Sequence, residues 1–201
     1  MSEAREAFLD GLVSVGITDP RVRKAFAAVD RAQFVPDVPA DWLYEDGVLP
    51  DGVHHSQPWT VARLCGLLMV GSGDRVLEVG TGSGYQTAVL AHLDPISIVT
   101  IERDPEWAES ARKRLVEFSN VIVVTGDGRE GYAPKAPYDL IVVNGAVQVT
   151  PPALLEQVAS DGRIVVPIGA EDEQEWHVLE RMDADTWERT THGSVRFTHL
   201  E

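Results

Sequence analysis

The sequence predicts an α/β protein with a mostly parallel central sheet, and three observations carry this prediction. Strand-like apolar segments alternate with helix-like segments between residues 71 and 168, which is the order that parallel strands with crossover helices produce. The strand-like segments are nearly continuous runs of valine and isoleucine, as expected for strands buried on both faces. Glycines and then a helix follow the first of these segments at once, an arrangement common at nucleotide sites.

The first seventy residues are predicted to form helices and irregular loops. Apolar residues recur at helical spacing within 3–15 and again within 21–30. The segment 31–53 is rich in proline, aspartate and glycine, so it is expected to be irregular. A further helix is predicted over about 57–70, with Pro58 suited to its first turn.

The remaining elements are predicted in order along the chain. The strands are DRVLEVG, SIVTIER, VIVVTGD, YDLIVVNGA and GRIVVPIG, and the helices between them are YQTAVLAHL, PEWAESARKRLVEF and PPALLEQVA. The last thirty residues are predicted to add two strands, EWHVLERM and TWERTTHGSVRFTHL. A length of 201 residues is enough for one α/β domain and too short for two ordinary ones.

Composition and charge exclude several classes of protein. The formal net charge of −15 argues against nucleic acid as a partner, because phosphate binding needs a basic face. No apolar run is long enough to cross a bilayer, and the N-terminus lacks the apolar centre of a signal peptide. We therefore expect a cytoplasmic protein that binds neither nucleic acid nor membranes. The single cysteine, Cys65, excludes an internal disulfide.

A glycine loop follows the first predicted strand in VLEVGTGSG. Gly80, Gly82 and Gly84 let the backbone turn sharply and approach a ligand, and the helix that follows adds free N–H donors. Glu102 ends the next strand 22 residues after Gly80, where a carboxylate can accept both hydroxyls of a ribose. Asp127, in TGDG after the third strand, could accept from an adenine amino group or could belong only to a turn.

The residue pattern of the glycine loop favours S-adenosylmethionine over a dinucleotide. The loop reads E-x-G-x-G-x-G, with Glu78 two residues before the first glycine. A buried carboxylate at that position suits a cofactor that carries positive charge and no phosphate. The loop lacks a Gly-Lys-Ser/Thr ending, which excludes a Walker-type phosphate loop.

Over nearly its whole length the chain resembles the protein-L-isoaspartate O-methyltransferases. The blocks DPRVRKAFAAVDRAQFVP, SQPWTVARL, DRVLEVGTGSGYQTAVLA, APYDLIVVNGA and PPALLEQ…GRIVVPIG occur in the order of that family. The resemblance implies a Rossmann-like class I methyltransferase fold, with helices flanking the sheet and a helical N-terminal cap. It also implies one domain over 1–201, in which 1–70 form the cap and acceptor loop and 71–201 form the S-adenosylmethionine-binding core with the C-terminal strands.

The resemblance also assigns site residues. It implies S-adenosylmethionine as the cofactor and a carboxylate of a protein or peptide as the acceptor. Gly80, Gly82, Gly84, Glu102 and Asp127 would bind the cofactor, and Ser56 would belong to the acceptor loop. A carboxylate is already ionised at neutral pH and needs no general base. Ser56 is therefore expected to position the acceptor by hydrogen bonding and not to act as a nucleophile.

The acceptor side departs from the family pattern, whereas the cofactor side does not. His54 and His55 stand where the family has Thr and Ile, the segment before Ser56 is about two residues shorter, and Asn144 replaces a small residue. The histidines could be ordinary turn residues, could contact the acceptor, or could bind a metal, although no further Cys/His cluster supports a metal site.

Several functions remain open at this point. The first is repair, in which methylation of L-isoaspartyl residues leads to a succinimide. The second is a dedicated peptide aspartate O-methyltransferase that forms an aspartimide in a ribosomally made peptide, which the altered histidine loop would favour. The third is a catalytically inactive cofactor-binding partner protein. A small-molecule methyltransferase is disfavoured because SQP and PPALLEQ are retained. Repair stands first because most of the chain matches the repair enzymes.

Overall fold

The structure, a computed structural model, describes residues 3–45 and 56–200. Its strands are β1 Arg75–Val79, β2 Ser97–Glu102, β3 Val121–Thr125, β4 Tyr138–Val143, β5 Val158–Ala170, β6 Glu173–Arg181 and β7 Trp187–Val195. They form one sheet in the order β3-β2-β1-β4-β5-β6-β7. The first five strands of the chain pair in parallel, and β6 and β7 extend the sheet by antiparallel pairing. The predicted α/β class, the mostly parallel sheet and the two C-terminal strands are confirmed.

Six α-helices belong to the described residues. They are α1 Glu3–Gly11, α2 Pro20–Ala28, α3 Pro58–Leu68, α4 Tyr85–Ala91, α5 Pro105–Arg114 and α6 Pro152–Gln157. Four of them begin with proline, whose fixed φ suits a first turn and whose missing N–H is not needed there. Asp19 and Asp104 cap α2 and α5 by accepting hydrogen bonds from backbone N–H groups. None of these helices is long and apolar enough to span a bilayer.

Alternate residues along the strands enter two apolar cores, one on each face of the sheet. Val76 and Ile98 lie in a core that also holds the N-terminal helices, where Phe8 packs edge-to-face on Phe26. Leu77 lies in the second core, on the opposite face of the sheet. The N-terminal helices therefore share one core with α3, α4 and this face of the sheet. The proposed boundary between a cap and a core at residues 70 and 71 stays a prediction.

The strand order places the carboxyl ends of four parallel strands side by side. From β1 the chain moves outward to β2 and β3 and then returns to the other side of β1 as β4. The loops after β1 and β4 therefore diverge and leave a crevice between them. In open α/β sheets this point of reversal is where ligands bind.

Candidate cofactor and acceptor site

A wide cleft lies over the crevice between β1 and β4. Its volume is about 1560 Å³, larger than the 300–1,000 Å³ typical of a small-molecule pocket, so a cofactor and part of an acceptor chain both have room. The glycine loop and the ends of β2 and β4 border one side of this cleft. Ser56, the cleft-facing residues of α3 and the C-terminal segment 194–200 border it as well.

Gly80 lies between the end of β2 and the first residue after β4. Its N–H donates to the carbonyl of Ile101 at 2.8 Å, and the N–H of Asn144 donates to the carbonyl of Val79 at 2.8 Å. The φ of Gly80 is +89°, and a Cβ built there would lie 3.1 Å from Cβ of Asn144. Only glycine adopts this backbone conformation without strain while leaving that space open.

Glu102 is fixed at the edge of the cleft by the backbone around it. Its Oε2 accepts from the N–H of Gly82 at 2.8 Å, and its Oε1 accepts from the N–H of Asp104 at 3.1 Å. The side chain borders the cleft and is half-buried. Each carboxylate oxygen retains further acceptor capacity, so the group can still receive two hydroxyls of a ribose. The arrangement supports the predicted role of Glu102 and Gly82 in holding the cofactor.

Asp127 shapes the turn that follows β3. Its carboxylate accepts from the N–H of Arg129 at 2.9 Å and from the Arg129 guanidinium at 2.7 Å. These bonds hold the pKa of Asp127 below its usual range. The neighbouring Gly128, and not Asp127, borders the cleft. The turn interpretation describes this geometry, and the contact with an adenine amino group stays a prediction.

Glu78 is buried behind the glycine loop and does not border the cleft. Four side chains donate to its carboxylate: Thr87 at 2.5 Å, Thr100 at 2.7 Å, Gln86 at 2.9 Å and Asn144 at 3.4 Å. Burial raises its pKa to about 7 in spite of these bonds. The geometry favours a supporting role for Glu78, through Gln86 and Asn144, over the direct cofactor contact expected from the sequence.

Gly84 also lies away from the cleft. It caps α4 with a φ of +86°, and its N–H donates to the carbonyl of Thr81 at 3.0 Å. A Cβ at this position would lie 3.2 Å from Cδ1 of Leu115. Close packing against Leu115, at the end of α5, therefore accounts for this glycine, and its expected cofactor contact stays a prediction.

Gln86 is a site residue that the sequence reasoning missed. It is 5% exposed and borders the cleft, and its Oε1 has no hydrogen-bond partner among residues 3–45 and 56–200. Its Nε2 donates to Glu78 and, at 3.1 Å, to Asn144, so the side chain is held in one orientation. A buried acceptor oxygen without a partner matches a cationic amino group of a ligand. The signal in the sequence was a polar side chain on the otherwise apolar helix that follows the glycine loop.

Ser56, which the resemblance assigns to the acceptor, is half-buried and borders the cleft. Trp59 and Arg63 of α3 and the buried Trp176 of β6 border it as well. Residues 54 and 55, the two histidines singled out in the sequence, lie outside the described residues. Within the described part of the chain, no group of three or more His, Cys, Asp or Glu side chains could hold a metal ion.

Replacing Gly128 with alanine is expected to destabilise the protein by about 1–3 kcal/mol and to weaken cofactor binding, because overpacking of a filled site forces neighbours apart. A Cβ at Gly128 would overlap Cγ1 of Val79, a stiff side chain at the end of β1. Urea unfolding and titration with S-adenosylmethionine measure the two effects. Gly126→Ala in the same turn is the control, because its Cβ would approach nothing closer than 4.0 Å. Equal behaviour of the two variants would contradict the assigned packing.

Comparison with known proteins finds relatives over nearly the whole chain. A family model described as protein-L-isoaspartate(D-aspartate) O-methyltransferase matches residues 3–201. A protein-L-isoaspartate O-methyltransferase of Halorhodospira halophila is 44% identical over 98% of this chain and 90% of its own. One of Methanospirillum hungatei is 41% identical over 92% of this chain and 87% of its own.

Solved structures agree on the fold. A structure described as a protein-L-isoaspartate O-methyltransferase is 29% identical, with a TM-score of 0.87 over 98% of this chain, which spans 66% of that chain. A structure from Plasmodium falciparum, described as belonging to the same class of enzyme in complex with S-adenosyl-L-homocysteine, has a TM-score of 0.80 at 20% identity. That match covers 98% of both chains.

Proposed function

The chain belongs to the protein-L-isoaspartate(D-aspartate) O-methyltransferase family, and we propose that it methylates the free carboxylate of L-isoaspartyl residues in proteins. The observation that carries this function is the single cleft that joins Glu102 and the glycine loop to Ser56. Cofactor-type and acceptor-type residues on one cleft allow a methyl donor and a carboxylate to meet. The family relationship makes S-adenosylmethionine the cofactor.

The residues of the cofactor side fit S-adenosylmethionine by their chemistry. When bound, this cofactor supplies a methyl group on a positively charged sulfonium. Glu102 offers acceptor oxygens for ribose hydroxyls, and the unpartnered Oε1 of Gln86 offers an acceptor for an amino group. Gly82 leaves open space where a side chain would stand, because a Cβ there would meet nothing within 4 Å. No cation is required to neutralise a phosphate, which agrees with a cofactor that has none.

The acceptor side needs only to hold and orient a carboxylate. The acceptor is ionised at neutral pH, so no side chain must remove a proton. Ser56 donates a hydrogen bond to one carboxylate oxygen and leaves the other directed toward the methyl group, because in-line displacement depends on alignment. Aromatic side chains of α3 and β6 border the same region and exclude water from it.

The consequence of methylation is repair. The carboxylate oxygen forms a bond to the methyl carbon as the bond from that carbon to sulfur breaks. The backbone nitrogen of the next residue then attacks the ester carbonyl, methanol leaves, and a succinimide remains. Water opens this ring at either carbonyl, so part of the product is a normal aspartyl linkage. Repeated cycles therefore convert isoaspartyl to aspartyl residues.

A dedicated peptide aspartate O-methyltransferase is the second candidate. His54 and His55 replace the Thr and Ile expected from the family pattern, and the segment before Ser56 is shorter. These changes concern the acceptor side alone, where substrate choice is made. In this alternative a normal aspartyl residue of a ribosomally made peptide would be methylated and would close to an aspartimide.

Two matched peptides decide between the candidates. They differ only in an isoaspartyl or a normal aspartyl linkage before glycine, and methyl transfer from labelled S-adenosylmethionine is measured on both. Preference for the isoaspartyl peptide supports repair. Preference for the normal linkage supports the dedicated enzyme. Cofactor binding without transfer to either peptide, or to the peptide products of neighbouring genes, would support an inactive partner protein instead.

Alanine at Ser56 is expected to lower kcat/KM for the isoaspartyl peptide by about ten- to a hundredfold, the worth of one hydrogen bond to a charged group. The affinity for S-adenosylmethionine is expected to stay unchanged, because Ser56 belongs to the acceptor side of the cleft. Ser56→Thr keeps the hydroxyl and should retain most of the activity. Equal losses in the alanine and threonine variants would show that the hydroxyl does not contact the acceptor.

The partners and location follow from charge and family. The substrate is a protein or peptide that carries an isoaspartyl residue, and neither nucleic acid nor a membrane is a partner. The net charge of −15 disfavours phosphate backbones. The cytoplasm is the location that best fits a repair enzyme of this composition.

A further inference from the structure

Arg31 is a buried cation beside the cleft. The residue is 1% exposed and borders the same cleft as Ser56. Its Nη1 donates to the carbonyl of Leu43 at 2.8 Å, and its Nη2 donates to the carbonyl of Ser56 at 3.1 Å. The guanidinium also stacks over the ring of Tyr85, with its central carbon 5.3 Å from the ring centroid. No carboxylate pairs with Arg31 among the described residues.

This environment is unusual for an arginine. A buried charge is costly and is normally paired with an opposite charge. Burial lowers the pKa of Arg31, yet an arginine keeps its proton in proteins. Its Nε is buried and has no hydrogen-bond partner within residues 3–45 and 56–200. Among the described residues, the fold thus holds a positive charge at the cleft and balances it with carbonyl dipoles and an aromatic face.

The two carbonyl contacts have a geometric consequence. Leu43 and Ser56 flank residues 44–55 in the sequence, and one planar guanidinium holds both positions. Arginine can do this because its donors form a rigid fork, whereas the ammonium of lysine is a single point. The backbone of Ser56 is therefore fixed by Arg31 while its hydroxyl remains available at the cleft.

We propose that Arg31 is a positioning residue for the acceptor: it fixes Ser56 at the cleft, and its charge, which no carboxylate of the described residues pairs with, favours a carboxylate over a neutral group there. This inference rests on the proposed function, because the carboxylate in question is that of the isoaspartyl residue. It predicts that Arg31 governs how strongly the enzyme distinguishes the carboxylate from its uncharged carboxamide. Arg31 acts through Ser56 and through its electric field, and not by taking part in methyl transfer.

Two variants test the proposal. Arg31→Lys keeps the charge but cannot donate to the carbonyls of Leu43 and Ser56 at the same time. Arg31→Met keeps the approximate length of the side chain and loses the charge. In the presence of S-adenosylhomocysteine, the Kd of an isoaspartyl peptide and of its carboxamide analogue are measured by fluorescence anisotropy. We expect the wild-type preference for the carboxylate to fall at least about tenfold in Arg31→Met, since a buried charge acts over several ångströms where water does not screen it. Arg31→Lys should retain the preference in part and raise the KM for the peptide.

Arg5→Lys is the matched control. Arg5 belongs to α1 and also donates to backbone carbonyls, including those of Phe26 and Val29 at 3.1 and 2.8 Å, but it does not border the cleft. A general loss of cap stability would affect the Arg5 and Arg31 variants alike and would lower thermal stability without changing the carboxylate preference. The affinity for S-adenosylmethionine, measured by calorimetry, should remain unchanged in all three variants.

The outcomes separate this inference from the proposed function. If the wild-type protein binds neither peptide, the isoaspartyl function itself fails. If the wild type prefers the carboxylate and Arg31→Met prefers it equally, the role of Arg31 is overturned while the function stands. Should Arg31→Met fail to fold, an unchanged peptide KM in Arg31→Lys would overturn the proposal. A lost preference that added guanidinium ions partly restore would support it.

Discussion

Alanine at position 102 is expected to weaken S-adenosylmethionine binding by at least about a hundredfold, the largest effect on activity that the site predicts. Two hydrogen bonds to a charged acceptor are lost, each worth about 1.5–3 kcal/mol. The backbone N–H groups of Gly82 and Asp104 also lose their acceptor, because both donate to the Glu102 carboxylate. The loops after β1 and β2 would then lose a shared anchor, and cofactor affinity would fall further than through ribose contacts alone.

Calorimetric titration with S-adenosylmethionine measures this effect. Glu109→Ala is the control, because Glu109 is exposed on α5 and its ion pairs within the described residues are with Arg112 and Lys113, at 3.4 and 3.6 Å. It removes the same charge without touching the cleft and should leave the Kd unchanged. Glu102→Gln keeps one acceptor oxygen and should give an intermediate affinity. Binding of Glu102→Ala within a fewfold of the wild type would exclude Glu102 from the cofactor site.

The fold could be predicted from the sequence because its signals are local and repeated. Runs of valine and isoleucine separated by amphipathic segments leave few arrangements other than a parallel sheet with crossover helices. The glycines that end β1 also made the position of the crevice predictable. The ends of the helices were harder to predict. We expected α3 to reach residue 70, but it ends at Leu68, because the next residue, Met69, adopts a left-handed conformation with φ +52°.

A site residue could be placed from the sequence only where a short local pattern indicates its position. Glu102 and Gly82 are joined by a hydrogen bond and both border the cleft, and their contact with the cofactor stays a prediction. Glu78 was expected to be a buried carboxylate that suits a cationic cofactor, and it is buried but does not border the cleft. Its partners come from β2, α4 and the loop after β4, so a local pattern could not reveal the network. Gln86 was missed for the same reason.

Leucine at position 78 is expected to lower the free energy of unfolding by about 3 kcal/mol, the largest effect on stability among these variants. A buried polar group that loses its hydrogen-bond partner is no longer compensated for its desolvation, and this destabilises the fold. Thr87 donates to Glu78 alone among the described side chains, whereas Thr100 also contacts Thr81 and Asn144 also donates to Gly80. The loss is therefore smaller than four full hydrogen bonds. Urea unfolding measures it, and a loss below about 1 kcal/mol would contradict the network.

Glutamine at position 78 separates the charge of this side chain from its hydrogen bonds. Its shape is nearly that of glutamate, and its amide can donate to the hydroxyl oxygens of Thr87 and Thr100, which can rotate to accept. The variant never ionises, so it removes the cost of holding a charge among the apolar residues of the core. At acidic pH its stability should be close to that of the wild type, since Glu78 is then protonated as well.

The stabilities of the wild type and of Glu78→Gln are expected to diverge as the pH rises. The pKa of Glu78 is raised from an ordinary value of 4.5 to about 7 in the folded state, so the folded protein binds a proton that the unfolded chain has released. The stability that this bound proton contributes is fully present below pH 4.5 and is lost as the pH rises to 7. Relative to the wild type, the free energy of unfolding of the glutamine variant should rise by up to about 1.4 kcal/mol per pH unit across that window. Parallel unfolding free energies from pH 4.5 to 8 would show that the four donors, and not burial, control this carboxyl group.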